Sequence, residues 1–288
     1  MPEHDGFFIA YNRRFFCEVC HSLMNISKNQ DMTALPIAIF DSGIGGLSVL
    51  REAMKMLPFE NYIYFADTDH VPYGEKSKEE VKDFVLQAGK FLNSQKIKLL
   101  AIACNTATSS AISELRNTYD FPVIGMEPAV KPAVSNNKNK RVLVLATALT
   151  LKEQKFRELV DKVDNEKIVD MLPLPELVMF AERFVFDDDH IIPVLKNSLS
   201  SLKLENYGTV VLGCTHFPFY RETFMKIFPP GTEIIDGNKG TVVHIKNVLD
   251  QKGLLNRGNH KGEIVFFLSG RKITDEKTIT KYLSLAGA

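Results

Sequence analysis

Apolar residues in this chain come in short runs, separated by stretches with helical spacing. Ile37-Ala38-Ile39-Phe40 is the first clear run, and the loop Asp41-Ser42-Gly43-Ile44-Gly45-Gly46 follows it. Leu47, Leu50, Met54 and Leu57 then recur every three or four residues, which predicts a helix over 47–57. A second strand is expected over 62–65, a long helix from about 76 to 94, and further strands at 99–103 and 123–124. The runs are apolar throughout rather than alternating, as in strands buried on both faces of a parallel sheet. Strand, loop and helix in repeated order predict an α/β fold of mainly parallel sheets flanked by helices.

The polar stretch Ser135-Asn136-Asn137-Lys138-Asn139-Lys140 breaks the pattern and marks a boundary or a surface turn. The order then restarts. A strand is expected over 141–146, a helix from about 152, a strand over 168–171, helices from about 176 and near 190–202, and a strand over 209–212. A last apolar run at 264–268 precedes one final helix, and its own residues do not say which sheet it joins. Residues 1–33 show neither period and end in the polar run Ser27-Lys28-Asn29-Gln30-Asp31, so they are expected to form a poorly ordered extension.

Two short words carry the most chemistry. Ala103-Cys104-Asn105-Thr106 and Gly213-Cys214-Thr215-His216 each close an apolar strand and precede a stretch read as helix. A helix N-terminus lowers the pKa of a thiol, so both cysteines are expected to be reactive. One acid/base thiol from each half suits removal of a proton from one face of a carbon and delivery to the other. His216 stands where it can exchange a proton with Cys214. Asn105, Thr106 and Thr215 offer hydrogen bonds to a small anion. The loop 41–46, between strand and helix, is where backbone amides receive an anion. As a dinucleotide fingerprint it fails, because Ser48 stands in place of the last glycine and Asp41 would face the pyrophosphate. Cys17-Glu18-Val19-Cys20-His21 has the spacing of haem attachment, and with His4 or His21 these thiols are conceivable zinc ligands. Without an export signal they read as an incidental pair.

Composition narrows the setting. The 288 residues, 45% hydrophobic, suffice for one large domain or two ordinary ones. Acidic and basic residues balance at 35 each, so neither nucleic acid nor an anionic membrane is an expected partner. No apolar run is long enough to span a membrane. Four cysteines make no disulfide scaffold in a chain this long, and a reducing cytoplasmic compartment would keep a working pair of thiols free.

Four words, Phe40-Asp41-Ser42-Gly43-Ile44-Gly45-Gly46-Leu47, Pro72-Tyr73-Gly74-Glu75-Lys76, Ala103-Cys104-Asn105-Thr106-Ala107-Thr108 and Gly213-Cys214-Thr215-His216-Phe217-Pro218, occur in this order across roughly residues 36–270. In them the chain resembles the glutamate racemases of bacterial cell-wall synthesis, in the aspartate/glutamate racemase family. The resemblance implies two pseudo-symmetric α/β domains with the active site in the cleft between them. The first would comprise residues 34–130 plus 240–288 and the second 131–239, with 1–33 outside both. It implies interconversion of L- and D-glutamate for peptidoglycan synthesis, with no cofactor and no metal. Cys104 would act on the D enantiomer with Asp41 as helper, and Cys214 on the L enantiomer with His216. Asp41, Ser42, Tyr73, Gly74, Asn105, Thr106, Thr147, Thr150, Thr215 and His216 would hold the amino acid. Asp67 and Glu182 fall near two further acidic positions of the family, and Glu176 is the alternative to Glu182. The family's Gly-Thr-x-x-Thr reads Ala146-Thr147-Ala148-Leu149-Thr150 here, and its late Asp-Ser-Gly reads Asp236-Gly237-Asn238. A homodimer is expected. The other readings are a racemase of aspartate or another amino acid, a cysteine hydrolase using Cys214 and His216, and a partner-binding protein without catalysis.

Overall fold

The computed structural model describes residues 31–136 and 139–287. The extension over 1–33, with Cys17, Cys20, His21 and His4, lies outside these residues, apart from its last three positions. Met32–Ala34 form one 3-10 turn in which the Thr33 amide donates to the Asp31 side chain.

In chain order the elements are β1 (Ile37–Asp41), α1 (Leu47–Met56), β2 (Tyr62–Ala66), α2 (Lys78–Ser94), β3 (Leu99–Ile102), α3 (Asn105–Thr118), β4 (Val123–Gly125) and α4 (Val130–Ser135). There follow β5 (Arg141–Ala146), α5 (Ala148–Lys152), α6 (Gln154–Val163), β6 (Val169–Pro173), α7 (Pro175–Glu182), α8 (Asp188–Ser198), β7 (Tyr207–Leu212), α9 (Arg221–Ile227) and β8 (Glu233–Asp236). The last are α10 (Asn238–Gln251), β9 (Ile264–Leu268), β10 (Arg271–Lys272) and α11 (Glu276–Ala286).

Two sheets result, ordered β10-β9-β2-β1-β3-β4 and β6-β5-β7-β8. All neighbours pair in parallel except β10 with β9. The run β2-β1-β3-β4 matches β6-β5-β7-β8 strand for strand, which is the pseudo-symmetry that the two cysteine words suggest. In each run the chain reverses direction across the sheet after its second strand. The switch points therefore fall between β1 and β3, and between β5 and β7. In open α/β sheets the crevice for a ligand opens at the carboxyl ends of strands at such a point.

The sequence pattern missed β8, β10, α4, α5 and α10, and its helix from about 152 is α6, which a break separates from α5. The break comes at Glu153, whose backbone is extended (φ −63°, ψ 134°). Its buried carboxylate accepts a hydrogen bond from Lys78 Nζ at 2.6 Å, tying α6 to α2. The long helix starts at Lys78 rather than 76 because Ser77 and Glu80 form a reciprocal capping box.

The late strand β9 joins the first sheet. It lies parallel to β2, with Tyr62 opposite Ile264, and the Glu263 amide donates to the side chain of Asn61, 202 residues upstream. Both α10 and α11 pack against α1. Side chains alternate across each sheet, so Ile37 and Ile39 enter one apolar cluster while Ala38 and Phe40 enter another beneath α2 and α3. The first of these clusters continues into the second sheet through Leu143, Leu145, Val210 and Leu212. Among the described residues, no helix is long and apolar enough to cross a membrane.

One buried ion pair closes the amino-terminal edge of the first sheet. Lys98 and Glu60 have side-chain exposures of 0% and 1%. Lys98 also donates to the Leu254 carbonyl at 2.9 Å, and Glu60 accepts from the Asn256 amide at 2.8 Å. Removing one partner strands a buried charge, so Lys98→Ala is expected to cost about 3–5 kcal/mol. The double replacement Lys98→Met/Glu60→Leu should recover most of that loss. Urea midpoints at constant slope would measure both.

Candidate active site

The carboxyl ends of four strands converge. β1 ends in Asp41, β3 leads into Cys104, β5 into Thr147, and β7 into Gly213 and Cys214. These strands flank the two switch points, so the sequence words and the topology select the same place.

Asp41 is fully buried. Its Oδ1 accepts from the Gly43 amide at 2.9 Å and its Oδ2 from the Thr215 hydroxyl at 2.9 Å. Burial pushes its carboxyl up to about 6, against the pull of the nearby His216 and of these two hydrogen bonds. The Asp41–Thr215 bond crosses from the first sheet to the second. The loop after Asp41 makes the same crossing. The Ile44 amide donates to Glu182 Oε1 at 2.8 Å, and the Ser48 hydroxyl to the Thr215 carbonyl at 3.0 Å. A Cβ at Gly43 would lie 1.8 Å from Glu182 Oε1, and one at Gly45 would lie 2.4 Å from Thr215 Oγ1. These glycines make room for side chains of the other half, a reason distinct from phosphate binding.

Cys104 caps the N-terminus of α3. The Ala107 amide points at its sulfur from 3.4 Å, and the Ser42 hydroxyl lies 3.8 Å away. The helix end does favour a thiolate here, as the sequence predicts. Burial and the Asp41 carboxylate outweigh it, and together they push the thiol up to about 12. Cys104 is therefore a thiol in this structure, contrary to the expectation of a lowered pKa. A charge on Cys214 would add to the rise, so the two sulfurs sense one another.

Cys214 departs from expectation in another way. The residues after it form a 3-10 turn, Phe217–Tyr220, before α9 begins. It thus stands at no α-helix N-terminus, and its neighbour is His216, whose Nδ1 lies 3.6 Å from the sulfur. On the other side of the ring, Nε2 lies 2.6 Å from Glu182 Oε1. Burial opposes a charge on His216, but the hydrogen bonds to Cys214 and Glu182 prevail and hold its pKa well above the usual range. Of the two acids on α7, Glu182 at its last position meets His216, whereas Glu176 in the first turn is exposed.

The remaining polar residues fall into three sets. Thr106 Oγ1 lies 3.0 Å from Thr147 Oγ1 and 3.1 Å from Thr150 Oγ1, and Thr147 donates to Thr150 at 3.0 Å. This hydroxyl triangle joins α3 to α5 across the two sheets. Asn105 is buried, its amide nitrogen reaches Met126 Sδ at 3.6 Å, and its side-chain oxygen has no partner among the described residues. Tyr73 and Gly74 form a 3-10 turn in which the Tyr73 hydroxyl donates to Asp67 at 2.6 Å. The carboxylate of Asp67, a possible acidic helper by resemblance, has its hydrogen bonds with Tyr73, His70 and Ser269. Asp67 follows β2, one strand outward from the switch point, and its backbone amide donates to the Asp41 carbonyl at 3.0 Å. Sequence reasoning missed Ser48 and His70. Ser48 carries no local signal, since its partner Thr215 is 167 residues away. Among the described residues, no group of three or more His, Cys, Asp or Glu side chains is placed to hold a metal ion.

Comparison with known proteins agrees with this geometry. The family profile described as Asp/Glu/Hydantoin racemase matches residues 47–245. The chain is 57% identical over 249 residues to a glutamate racemase of Halothermothrix orenii, covering 86% of this chain and 98% of that one. It is 55% identical over 253 residues to glutamate racemase 2 of Bacillus subtilis, covering 87% and 95%. The crystal structure of Escherichia coli glutamate racemase in complex with L-glutamate and the activator UDP-MurNAc-ala matches with a TM-score of 0.76 at 32% identity, covering 86% of this chain and 95% of that one. An aspartate racemase of Picrophilus torridus, at 16% identity and a TM-score of 0.51, shares the fold alone. Matched along most of its length in both sequence and structure, the chain belongs to the Asp/Glu/hydantoin racemase family.

Proposed function

We propose that the protein interconverts L- and D-glutamate without a cofactor, with Cys104 and Cys214 as the two acid/base groups at Cα. The observation that carries this reading is the pair of buried thiols at matching strand ends of the two sheets, each with its own titrating neighbour. Asp41 acts on the charge of Cys104, and the Glu182-bound His216 lies against Cys214.

The charge distribution sets a direction. Cys104 holds its proton, and His216 carries the positive charge that a sulfur anion at Cys214 needs. Cys214 then takes the α-proton of L-glutamate, and the C–H electron pair remains on Cα, delocalised into the α-carboxylate. The Cys104 S–H bond breaks as its proton joins Cα from the opposite face, giving D-glutamate. Cys104 ends as the thiolate and Cys214 as the thiol, and the reverse turnover restores both. The α-proton is far less acidic than a thiol, so the site must stabilise the developing carboxylate charge with fixed donors and exclude water. The unpartnered oxygen of Asn105 is an acceptor for the ammonium group. Ser42, Tyr73, Gly74, Thr106, Thr147, Thr150 and Thr215 supply the remaining contacts. Cys104 and Cys214 are only 6% and 7% exposed, so substrate reaches them when the cleft opens.

Sheet membership supports a first domain of residues 34–130 plus 240–288 and a second of 131–239. D-glutamate made in this way would serve peptidoglycan synthesis in the cytoplasm, where thiols stay reduced, and the family resemblance supports a homodimer. Glutamate is favoured over aspartate by the two relatives above 50% identity, both glutamate racemases.

Chiral chromatography of D-glutamate and D-aspartate incubated with the purified chain, without added cofactor, tests this. Glutamate is expected to racemise at least about 100-fold faster, a gap of roughly 3 kcal/mol in transition-state binding. Equal or faster turnover of aspartate would overturn the substrate assignment. Hydrolysis of an amide or ester that survives Cys104→Ala would point to the hydrolase instead.

A further inference from the structure

His70 lies outside the four words that carry the resemblance, yet its ring is held at one edge and on one face. Its Nδ1 sits 2.9 Å from both carboxylate oxygens of Asp67. The ring stacks on Phe84 of α2, with centroids 3.8 Å apart and planes at 12°. Its backbone amide donates to the Asp67 carbonyl at 3.1 Å. The Asp67 carboxylate in turn accepts from the buried Tyr73 hydroxyl at 2.6 Å and from Ser269 at 3.0 Å. Beyond Tyr73, the turn presses on the second half. A Cβ at Gly74 would lie 2.9 Å from Thr147 Cβ, and Thr147 belongs to the hydroxyl triangle with Thr106 and Thr150. A contact path thus runs from a half-exposed ring at the rim to the seam between the sheets.

We infer that His70 is a positioning residue for substrate binding: it orients Asp67 so that Asp67 holds the Tyr73 hydroxyl and fixes the Tyr73–Gly74 turn against Thr147. The physical need is plain. A buried phenol left without an acceptor loses its hydrogen bond at full desolvation cost, and a carboxylate free to rotate is a poor acceptor. Ser269 holds one carboxylate oxygen, and His70, seated on the Phe84 ring and in reach of both, adds the contact that fixes the plane of the group. No hydrogen bond joins His70 to Cys104, Cys214, Asp41 or His216, so its influence falls on the order of the turn rather than on proton transfer.

The inference rests on the reading that this turn borders the glutamate site, and one arm of the test does not depend on it. Amide hydrogen exchange of the full chain, followed on peptides covering residues 71–76, is expected to speed up about fivefold or more in His70→Ala, with 103–108 and 213–217 unchanged. KM for D-glutamate should rise about five- to tenfold with kcat within about twofold. His70→Asn, whose side-chain amide can occupy the place of Nδ1, should restore both to within about twofold of the parent. Adding His70→Ala to Tyr73→Phe should change nothing further, because the two act through one contact. Unchanged exchange over 71–76 in His70→Ala, an asparagine variant no better than alanine, or additive effects with Tyr73→Phe would each overturn the inference. If glutamate proves not to be the substrate, the exchange measurements still decide the role of His70.

Discussion

Replacing either Cys104 or Cys214 by alanine is expected to lower kcat/KM for racemisation at least about 10⁴-fold in both directions. Both thiols are buried, so bulk water cannot take over as the missing acid or base. Each single variant keeps one working face. With a glutamate analogue that carries a leaving group at Cβ, Cys104→Ala should eliminate from the L enantiomer alone and Cys214→Ala from the D enantiomer alone. Elimination followed by absorbance, with racemisation followed in deuterated water, separates the two steps. Racemisation by either variant within about tenfold of the parent would sink the two-base mechanism. Each substitution removes one sulfur from a packed site, so a cooperative thermal transition should persist and show that the loss is chemical.

Asp41→Asn is expected to stabilise the protein at neutral pH while impairing it as a catalyst. The folded-state carboxyl is raised from an ordinary 3.8 to about 6 by burial. The folded chain therefore binds the proton more tightly than the unfolded chain. The stabilisation that this gives is complete below about 3.8 and is lost as pH rises through about 6. Above that range the buried carboxylate is a liability of roughly 3 kcal/mol, from about two pKa units at 1.36 kcal/mol each. Asparagine has the same shape, can still accept from the Gly43 amide, and carries no charge. The stability gap between variant and parent should therefore be small near pH 4, widen up to about pH 6.5 and level off, as denaturant titrations across that range would show. Over the same range kcat should fall about 100-fold, because the group beside Cys104 that can take and return a proton is gone. Equal loss of stability and activity would mean that Asp41 is a structural carboxylate.

Local pattern was enough for eight of the strands, since β1, β2, β3 and β7 are buried along their whole length and their residues are mostly apolar. It failed at β8, where Glu233 is exposed and only Ile234 is fully buried, so four residues at a sheet edge make no run. Nor could the apolar residues of β9 name their partner, because Ile264–Leu268 would suit either sheet equally. The cysteine words were legible as sites, but not their electrostatics. The rule for a thiol at a helix end considers only the helix, whereas the pKa of Cys104 is decided by burial and by Asp41, which arrives from β1. The choice between Glu176 and Glu182 likewise depends on where the end of α7 meets His216. The role of His70 depends on Phe84 and Tyr73 arriving beside it from separate elements.

Because β9 pairs with β2 across 202 residues, a nascent chain cannot finish its first sheet until nearly all of it has left the ribosome. The strands of the second sheet all lie within 141–236 and are able to pair earlier. During synthesis at roughly 5–20 residues per second, the outer edge of β2 stays bare while that inserted unit folds. A bare strand edge is a template for pairing with other chains, and contacts this distant in sequence form slowly. The cleft needs both sheets, so it is the last feature of the molecule to assemble.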